Sequence, residues 1–361
     1  LPGKKALLVT GGRSTTRLGY VDQVRALLRQ GGAESIVYDR ARPNPTLQNV
    51  NECAALCREH GCDFVVGLGG GSSIDTAKAA AVLAVNEGDY WDYVTGGSGK
   101  GRRPANHPLP IVAITTTAGT GTEADPWTVV TNGEEKIGGG YDGTFPTLSI
   151  VDPEFMVSVP PKMTAFQGFD ALFHAAEGYI SAFANPISDM YALQSIELIG
   201  KSLAEAVRNG QNMDARTDVA LANTLAGFVE SLSSMTSEHG MEHAMSALHP
   251  ELPHGAGLIM ISVPYFTKMA GAAACADRLV NMARALGKKD AAEPMDFVTA
   301  LADLQGACHV EDLKISDYGF TGTDFGKYAD NAMQTMGGLF RADRQTLSRD
   351  EVIEIYRKSF R

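Results

Sequence analysis

The sequence predicts an α/β N-terminal domain, a parallel sheet covered by helices, followed by an all-α C-terminal domain. Three observations predict it. Over roughly the first 155 residues, short apolar runs alternate with helical patterns. Those runs are apolar on both faces, as strands of a sheet covered on both sides must be. Beyond Pro160-Pro161 strand patterns nearly vanish while helical periodicity continues. A length of 361 residues suits about two domains, and the boundaries read as 1–160 and 161–361.

Ala6–Thr10 reads as the first strand, ending at Gly11-Gly12, and 19–30 as a helix ending near Gly31-Gly32. Ser35–Tyr38 is the next strand and 46–59 the next helix. Phe64–Leu68 forms a strand that stops at Gly69-Gly70-Gly71, and 73–85 is a helix of small apolar residues. Ile111–Ile114 is a further strand. In the second half, Leu193, Ile196, Ile199, Leu203 and Val207 recur at spacings of three and four, one face of a helix over 189–208. Segments 218–232, 272–286 and 348–359 behave alike, the last with Ser348 and Glu351 at capping-box spacing. No internal repeat or low-complexity stretch is visible.

Composition excludes several classes. A net charge of −11 argues against a nucleic-acid surface, and the nearest thing to a basic patch, Lys100-Gly101-Arg102-Arg103, reads as a solvated loop. No apolar run reaches the roughly 18 residues of a membrane helix. The start at Leu1 enters a strand pattern at once, so no signal peptide is expected. Five cysteines are an odd number for a disulfide framework, and ordinary thiols in a reducing cytoplasm are the expectation.

Gly69-Gly70-Gly71-Ser72-Ser73-Ile74-Asp75 lies between a strand and a helix. Glycines there admit close backbone approach, and a helix N-terminus offers N–H groups to an anion such as a pyrophosphate. Ser72 is expected to cap the helix, with Asp75 at its third position. Position 72 departs from the Rossmann fingerprint, and no Gly-Lys-Ser/Thr follows as in a P-loop. A second loop, 115–123, is rich in hydroxyls at Thr116, Thr117 and Thr120 and also follows a strand. Two such loops at strand C-terminal ends suit a dinucleotide in an open α/β sheet. Asp39, at the end of the second strand, suits a ribose 2′-hydroxyl, while Arg40 and Arg42 leave NAD and NADP both open.

Four of the eight histidines fall between residues 239 and 254. Asp170 and His174 stand at i and i+4 in a helical pattern, as do His239 and His243, so each pair shares one helix face. His254 follows in a predicted loop, Pro253-His254-Gly255. Such nitrogen and carboxylate donors suit Zn²⁺ or Fe²⁺. His249 sits at a turn before Pro250 and is the weakest member; His60, His107 and His309 read as surface or structural.

These segments resemble the iron-containing, or group III, alcohol dehydrogenase family over nearly the whole chain. Residues 69–78 match GGGSxxDxxK, 116–123 match TTAGTGSE with Thr at 122, and 168–179 match GxDAxxHAxEGY. Residues 239–244 match HGxxHA and 253–255 match PHG. The resemblance implies the dehydroquinate synthase-like architecture, a dinucleotide-binding first domain and hydride transfer between an alcohol or diol and nicotinamide. It implies a metal, Fe²⁺ or Zn²⁺, on Asp170, His174, His239 and His254, with His243 beside it as a proton relay or an orienting group. It implies cofactor contacts at Gly69, Gly70, Gly71, Ser72, Asp75, Thr116, Thr117 and Thr120, to which the strand-end position adds Asp39. It also implies a small-molecule substrate and at least a dimer, while the cysteine usage suits a cytoplasmic location.

The departures from the pattern are a start lacking about one earlier strand pair, a His243–His254 loop one residue longer, no asparagine within Ala256–Ile259, and Asp125. A dehydroquinate synthase-like lyase is the runner-up, disfavoured because the cage region is poor in Lys and Arg. A glycerol-type polyol dehydrogenase is closer, but its cage uses one Asp and two His, and the fourth ligand-position residue here argues against it. A non-catalytic metal- or nucleotide-binding protein is the third possibility.

Overall fold

The computed structural model describes residues 1–11 and 13–361. Gly12, read above as part of the turn after the first strand, lies outside them. The chain forms two compact units, Leu1–Thr117 with Thr122–Asp152, and Ala118–Gly121 with Pro153–Arg361.

The first unit is built on β1 (Lys5–Thr10), β2 (Glu34–Tyr38), β3 (Phe64–Gly69), β4 (Ile111–Thr115) and β7 (Leu148–Val151), ordered β2-β1-β3-β4-β7. Every pairing is parallel. The central β3 and β4 are buried throughout, which explains their unbroken apolar runs, while β7 at the edge is largely exposed. The helices are α1 (Ser14–Arg17), α2 (Tyr20–Gln30), α3 (Leu47–Glu59) and α4 (Gly71–Ala84). α4 packs on β3 through small residues. A Cβ on Gly67 would come within 2.9 Å of the Ile74 Cα, so glycine is what allows this approach.

β5 (Trp127–Asn132) and β6 (Glu135–Gly140) form an antiparallel hairpin that the sequence reading omits. The signal is present: Thr128-Val129-Val130-Thr131 runs into Asn132-Gly133, and Gly133 takes the positive φ of +60° that such a turn requires.

The second unit is helical: α5 (Pro161–Ile180), α6 (Pro186–Arg208), α7 (Met213–Ser233), α8 (Ser237–Leu248), α9 (His254–Ala270), α10 (Ala276–Ala285), α11 (Met295–Ala307), α12 (Phe325–Thr335), α13 (Gly337–Ala342) and α14 (Arg349–Ser359). The break falls between Asp152 and Pro153 rather than at Pro160-Pro161. The turn Pro153–Met156 packs on α7 and buries Met156, which ties it to the helical unit. Pro161 instead occupies the first turn of α5, where a missing N–H leaves no bond unmade.

Two further expectations are corrected. α4 starts at Gly71 with Gly70 at its N-cap and no side-chain cap, so Ser72 lies within the first turn instead of capping it. His254 is the first residue of α9, behind Pro253 at the N-cap, and not part of a loop. Ser348 does cap α14, its hydroxyl accepting from the Glu351 N–H while Glu351 accepts from the Ser348 N–H at 2.8 Å. All five cysteines are free and buried.

Candidate functional site

In the sheet unit, β1 is flanked by β2 on one side and β3 on the other, so the strand order reverses there. Ligands in open α/β sheets bind at the carboxyl ends of strands beside such a reversal. Gly11 follows β1 and Gly69 ends β3 at that position. Gly69 has φ +147°, and a Cβ on Gly70 would stand 2.9 Å from Thr117 Oγ1, so the two predicted loops close on one another. The Thr116 N–H donates to the Gly69 carbonyl at 2.9 Å and Thr115 Oγ1 to the Thr117 carbonyl at 2.8 Å. The uncapped α4 N-terminus lies beside Gly70 and Ser72.

Asp75 is placed differently from its neighbours. Its buried carboxylate accepts from Thr122 Oγ1 at 2.7 Å and from the Val129 N–H at 2.9 Å, so it braces the second loop. Asp125, unusual in the sequence, is explained by Lys78: the buried Nζ donates to Asp125 Oδ1 at 3.0 Å, to the Asp125 carbonyl at 2.7 Å and to Thr122 Oγ1 at 2.8 Å. Asp39 is exposed just beyond β2. Arg40 lies over the Tyr38 ring, 5.1 Å from its centre. Thr120 belongs to the segment that folds with the helical unit.

In the helical unit, Asp170 and His174 come from α5, His239 and His243 from α8, and His254 from the start of α9. Three histidine nitrogens surround one oxygen, Asp170 Oδ1: His174 Nδ1 at 3.5 Å, His239 Nε2 at 3.6 Å and His254 Nε2 at 3.5 Å. Donor atoms of Asp170, His239 and His254 lie within 4.8 Å of one another, a spacing that one ion can bridge. His174 stands beside this trio, its ring centre 4.3 Å from that of His239. Its Nδ1 also lies 3.2 Å from the Gly119 carbonyl, and its Nε2 faces Glu230 Oε2 at 3.8 Å. A second triad, Glu242, His243 and His254, satisfies the same 4.8 Å spacing. His249 is not brought in; it stacks on Phe320 and bonds the Tyr328 hydroxyl at 2.9 Å.

Sequence reasoning passed over two residues. His239 Nδ1 donates to Glu177 Oε1, and His254 Nδ1 to Glu242 Oε2. Both glutamates are fully buried. Each bond turns its imidazole so that Nε2 faces Asp170, the arrangement by which carboxylates orient metal-binding histidines. The signal for Glu177 is its spacing: Asp170, His174 and Glu177 stand at i, i+4 and i+7 on one face of α5.

The residues fit a cation. Asp170 Oδ1 and His239 Nε2 are buried atoms with no hydrogen-bond partner among the described residues. Burial alone would raise the Asp170 carboxyl, but His174, His254 and His239 hold it down near 2, so it stays ionised in the interior. Burial, with His239 alongside, lowers His174 to about 4 and keeps it neutral. At His239 burial is outweighed by the Glu177 and Asp170 carboxylates, which draw positive charge to this point. Asp170, His239 and His254 would hold a divalent ion that supplies that charge, with the imidazoles neutral.

Two family profiles match the chain: iron-containing alcohol dehydrogenase over residues 1–153, and the C-terminal region of the same family over residues 164–360. The chain belongs to the iron-containing alcohol dehydrogenase family. It is similar to the 1,3-propanediol dehydrogenase of Klebsiella pneumoniae, 35 % identical over 373 residues, covering 100 % of this chain and 92 % of the relative. Alcohol dehydrogenase 4 of Schizosaccharomyces pombe is 34 % identical, covering 99 % of this chain and 83 % of the relative. Among solved structures, an archaeal halo-thermophilic alcohol dehydrogenase from a Red Sea brine pool superposes with a TM-score of 0.95 at 32 % identity, over 99 % of this chain and 92 % of the other. This family member is an alcohol oxidoreductase, with the sheet unit and helical unit its sequence predicts. The lyase and polyol readings are not favoured.

Proposed function

We propose that the chain interconverts a short primary alcohol or diol with its aldehyde, using NAD and one Fe²⁺ or Zn²⁺ ion. The observation that carries the reading is the convergence of His239 Nε2 and His254 Nε2 on Asp170 Oδ1, each ring turned by a buried glutamate. Asp170, His239 and His254 would hold the ion, with His174 as the fourth ligand. Once bound, the metal supplies Lewis acidity to the alcohol oxygen and the nicotinamide supplies the hydride acceptor. Glu177 and Glu242 keep the Nδ1 protons in place, so both Nε2 lone pairs stay available. His243, whose ring centre is 5.5 Å from that of His254, is the proposed carrier of the hydroxyl proton toward solvent.

The Gly69–Ser72 turn with Thr116 and Thr117 would cradle the pyrophosphate. Asp75 would act on the cofactor through the loop it braces. The exposed Asp39 carboxylate suits a ribose 2′-hydroxyl and repels a 2′-phosphate, which favours NAD over NADP. The similarity to 1,3-propanediol dehydrogenases makes short diols the first substrates to test. A cytoplasmic location and assembly at least as a dimer complete the proposal.

The test is a screen of metal-loaded protein against short alcohols and diols with NAD⁺ and NADP⁺, following nicotinamide absorbance. Reduction of NAD⁺ by a diol or primary alcohol is expected. Full metal occupancy with no turnover on any alcohol contradicts the reading.

A further inference from the structure

We propose that Tyr265 is a positioning residue for His239, acting through Thr236 and Glu177, with Asp343 bracing the same turn; the inference rests on the metal reading above. The four residues come from distant parts of the chain. Glu177 is on α5, Thr236 is the N-cap of α8, Tyr265 is on α9, and Asp343 follows α13.

Glu177 is the centre of the arrangement. Its Oε1 accepts from His239 Nδ1. Its Oε2 accepts from the Thr236 N–H at 2.9 Å, from Thr236 Oγ1 at 2.8 Å and from the His239 N–H at 3.3 Å. The carboxylate is therefore held on both oxygens, which fixes the plane in which it meets the imidazole.

Thr236 has one hydroxyl proton, and a carboxylate takes it. The Tyr265 hydroxyl, 2.9 Å from Thr236 Oγ1, is then placed to donate its single proton there, the other acceptor in reach, Asp343 Oδ1, being farther at 3.4 Å. Tyr265 thus sets the rotor of Thr236, and Thr236 sets Glu177. Asp343 Oδ1 accepts from the Ser237 N–H at 3.0 Å and lies 3.4 Å from the Tyr265 hydroxyl, which anchors the first turn of α8 just before His239. Tyr265 is fully buried, as are Thr236 and Glu177, so no water replaces a lost partner cheaply. A network of this kind sets ligand orientation, and disturbing such outer partners weakens metal affinity about 10- to 100-fold.

The test compares metal-free wild type with Tyr265→Phe, which removes the hydroxyl and keeps the ring. Co²⁺ and Zn²⁺ affinity are measured by chelator competition, alongside the visible spectrum of the Co²⁺ form. Roughly tenfold weaker binding and an altered Co²⁺ spectrum are expected, with little change in the unfolding of the metal-free protein. Thr236→Val should reproduce the effect and Thr236→Ser should restore wild-type values, which a packing defect would not do. Wild-type affinity and spectrum in Tyr265→Phe, when Glu177→Gln changes both, would end the chain at Glu177 and overturn the proposal. Unchanged affinity in His239→Ala would instead overturn the ligand assignment, and the inference with it.

Discussion

The Nε2 of His254 lies 3.5 Å from Oδ1 of Asp170 while its opposite nitrogen is held by Glu242. A histidine with one nitrogen on a carboxylate and the other beside a second carboxylate is arranged around positive charge. His239 repeats the pattern with Glu177.

The first prediction concerns Glu242. Glu242→Gln keeps the shape but replaces the charged acceptor of the His254 Nδ1–H with a neutral amide. Metal affinity should fall about 10- to 100-fold. Competitive chelator titration checks this, and an unchanged dissociation constant would remove Glu242 from the orienting role.

The cradle gives the second. A Cβ at Gly70 would stand 2.9 Å from Thr117 Oγ1, so Gly70→Ala forces the Thr117 side chain or its loop to shift. Overpacking of this kind costs about 1–3 kcal/mol. If part of that is expressed in cofactor binding, KM for NAD⁺ rises roughly tenfold while metal content stays at wild-type level. Steady-state kinetics with metal analysis separate the two, and an unaltered KM would place the dinucleotide elsewhere.

Lys78 and Asp125 give a stability prediction. Both side chains are buried, and Lys78→Met leaves the Asp125 carboxylate without its cation. Breaking a buried pair on one side costs about 3–5 kcal/mol. Urea unfolding measures it, and a loss below about 1 kcal/mol would mean that Asp125 takes up a proton instead of remaining charged.

Acid sensitivity is legible at the start of α14. Glu351 is held down near 2 by Lys268 and by the Ser348 N–H and hydroxyl. A carboxyl depressed in the folded state contributes stability that is present above its unfolded value of about 4.3 and is lost as pH falls toward 2. Glu351→Gln should therefore melt below wild type at pH 6 by a small margin, since both partners of the pair are partly exposed to water. The two melting curves should converge as pH approaches 2, and a margin that persists there would contradict the assignment.

Much of this was legible in the sequence because it depends on local spacing. Asp170 with His174, and His239 with His243, are neighbours by helix geometry alone. The glycines at 69–71 announce a backbone approach that only a missing Cβ permits. What escaped depends on distant partners. Glu177 and Glu242 read as ordinary helix acids until α5, α8 and α9 are packed. Asp125 reads as a departure until Lys78 reaches it across 47 positions of the chain. Asp75 looks like a ligand contact by its place in the motif, yet its oxygens are taken by Thr122 and Val129. The break at Asp152/Pro153 escaped because the proline pair at 160–161 is a stronger local signal than the burial of Met156.

The central claim is that a single cation on Asp170, His239 and His254 makes this chain a dehydrogenase. The most direct measurement is chelation followed by metal re-addition, reading metal stoichiometry and alcohol-dependent NAD⁺ reduction in wild type and His254→Ala together. The account predicts one ion per wild-type chain with activity restored by Fe²⁺ or Zn²⁺, and substoichiometric metal with no restored activity in the variant. Wild-type turnover in His254→Ala, or full activity in chelated wild type, would contradict it.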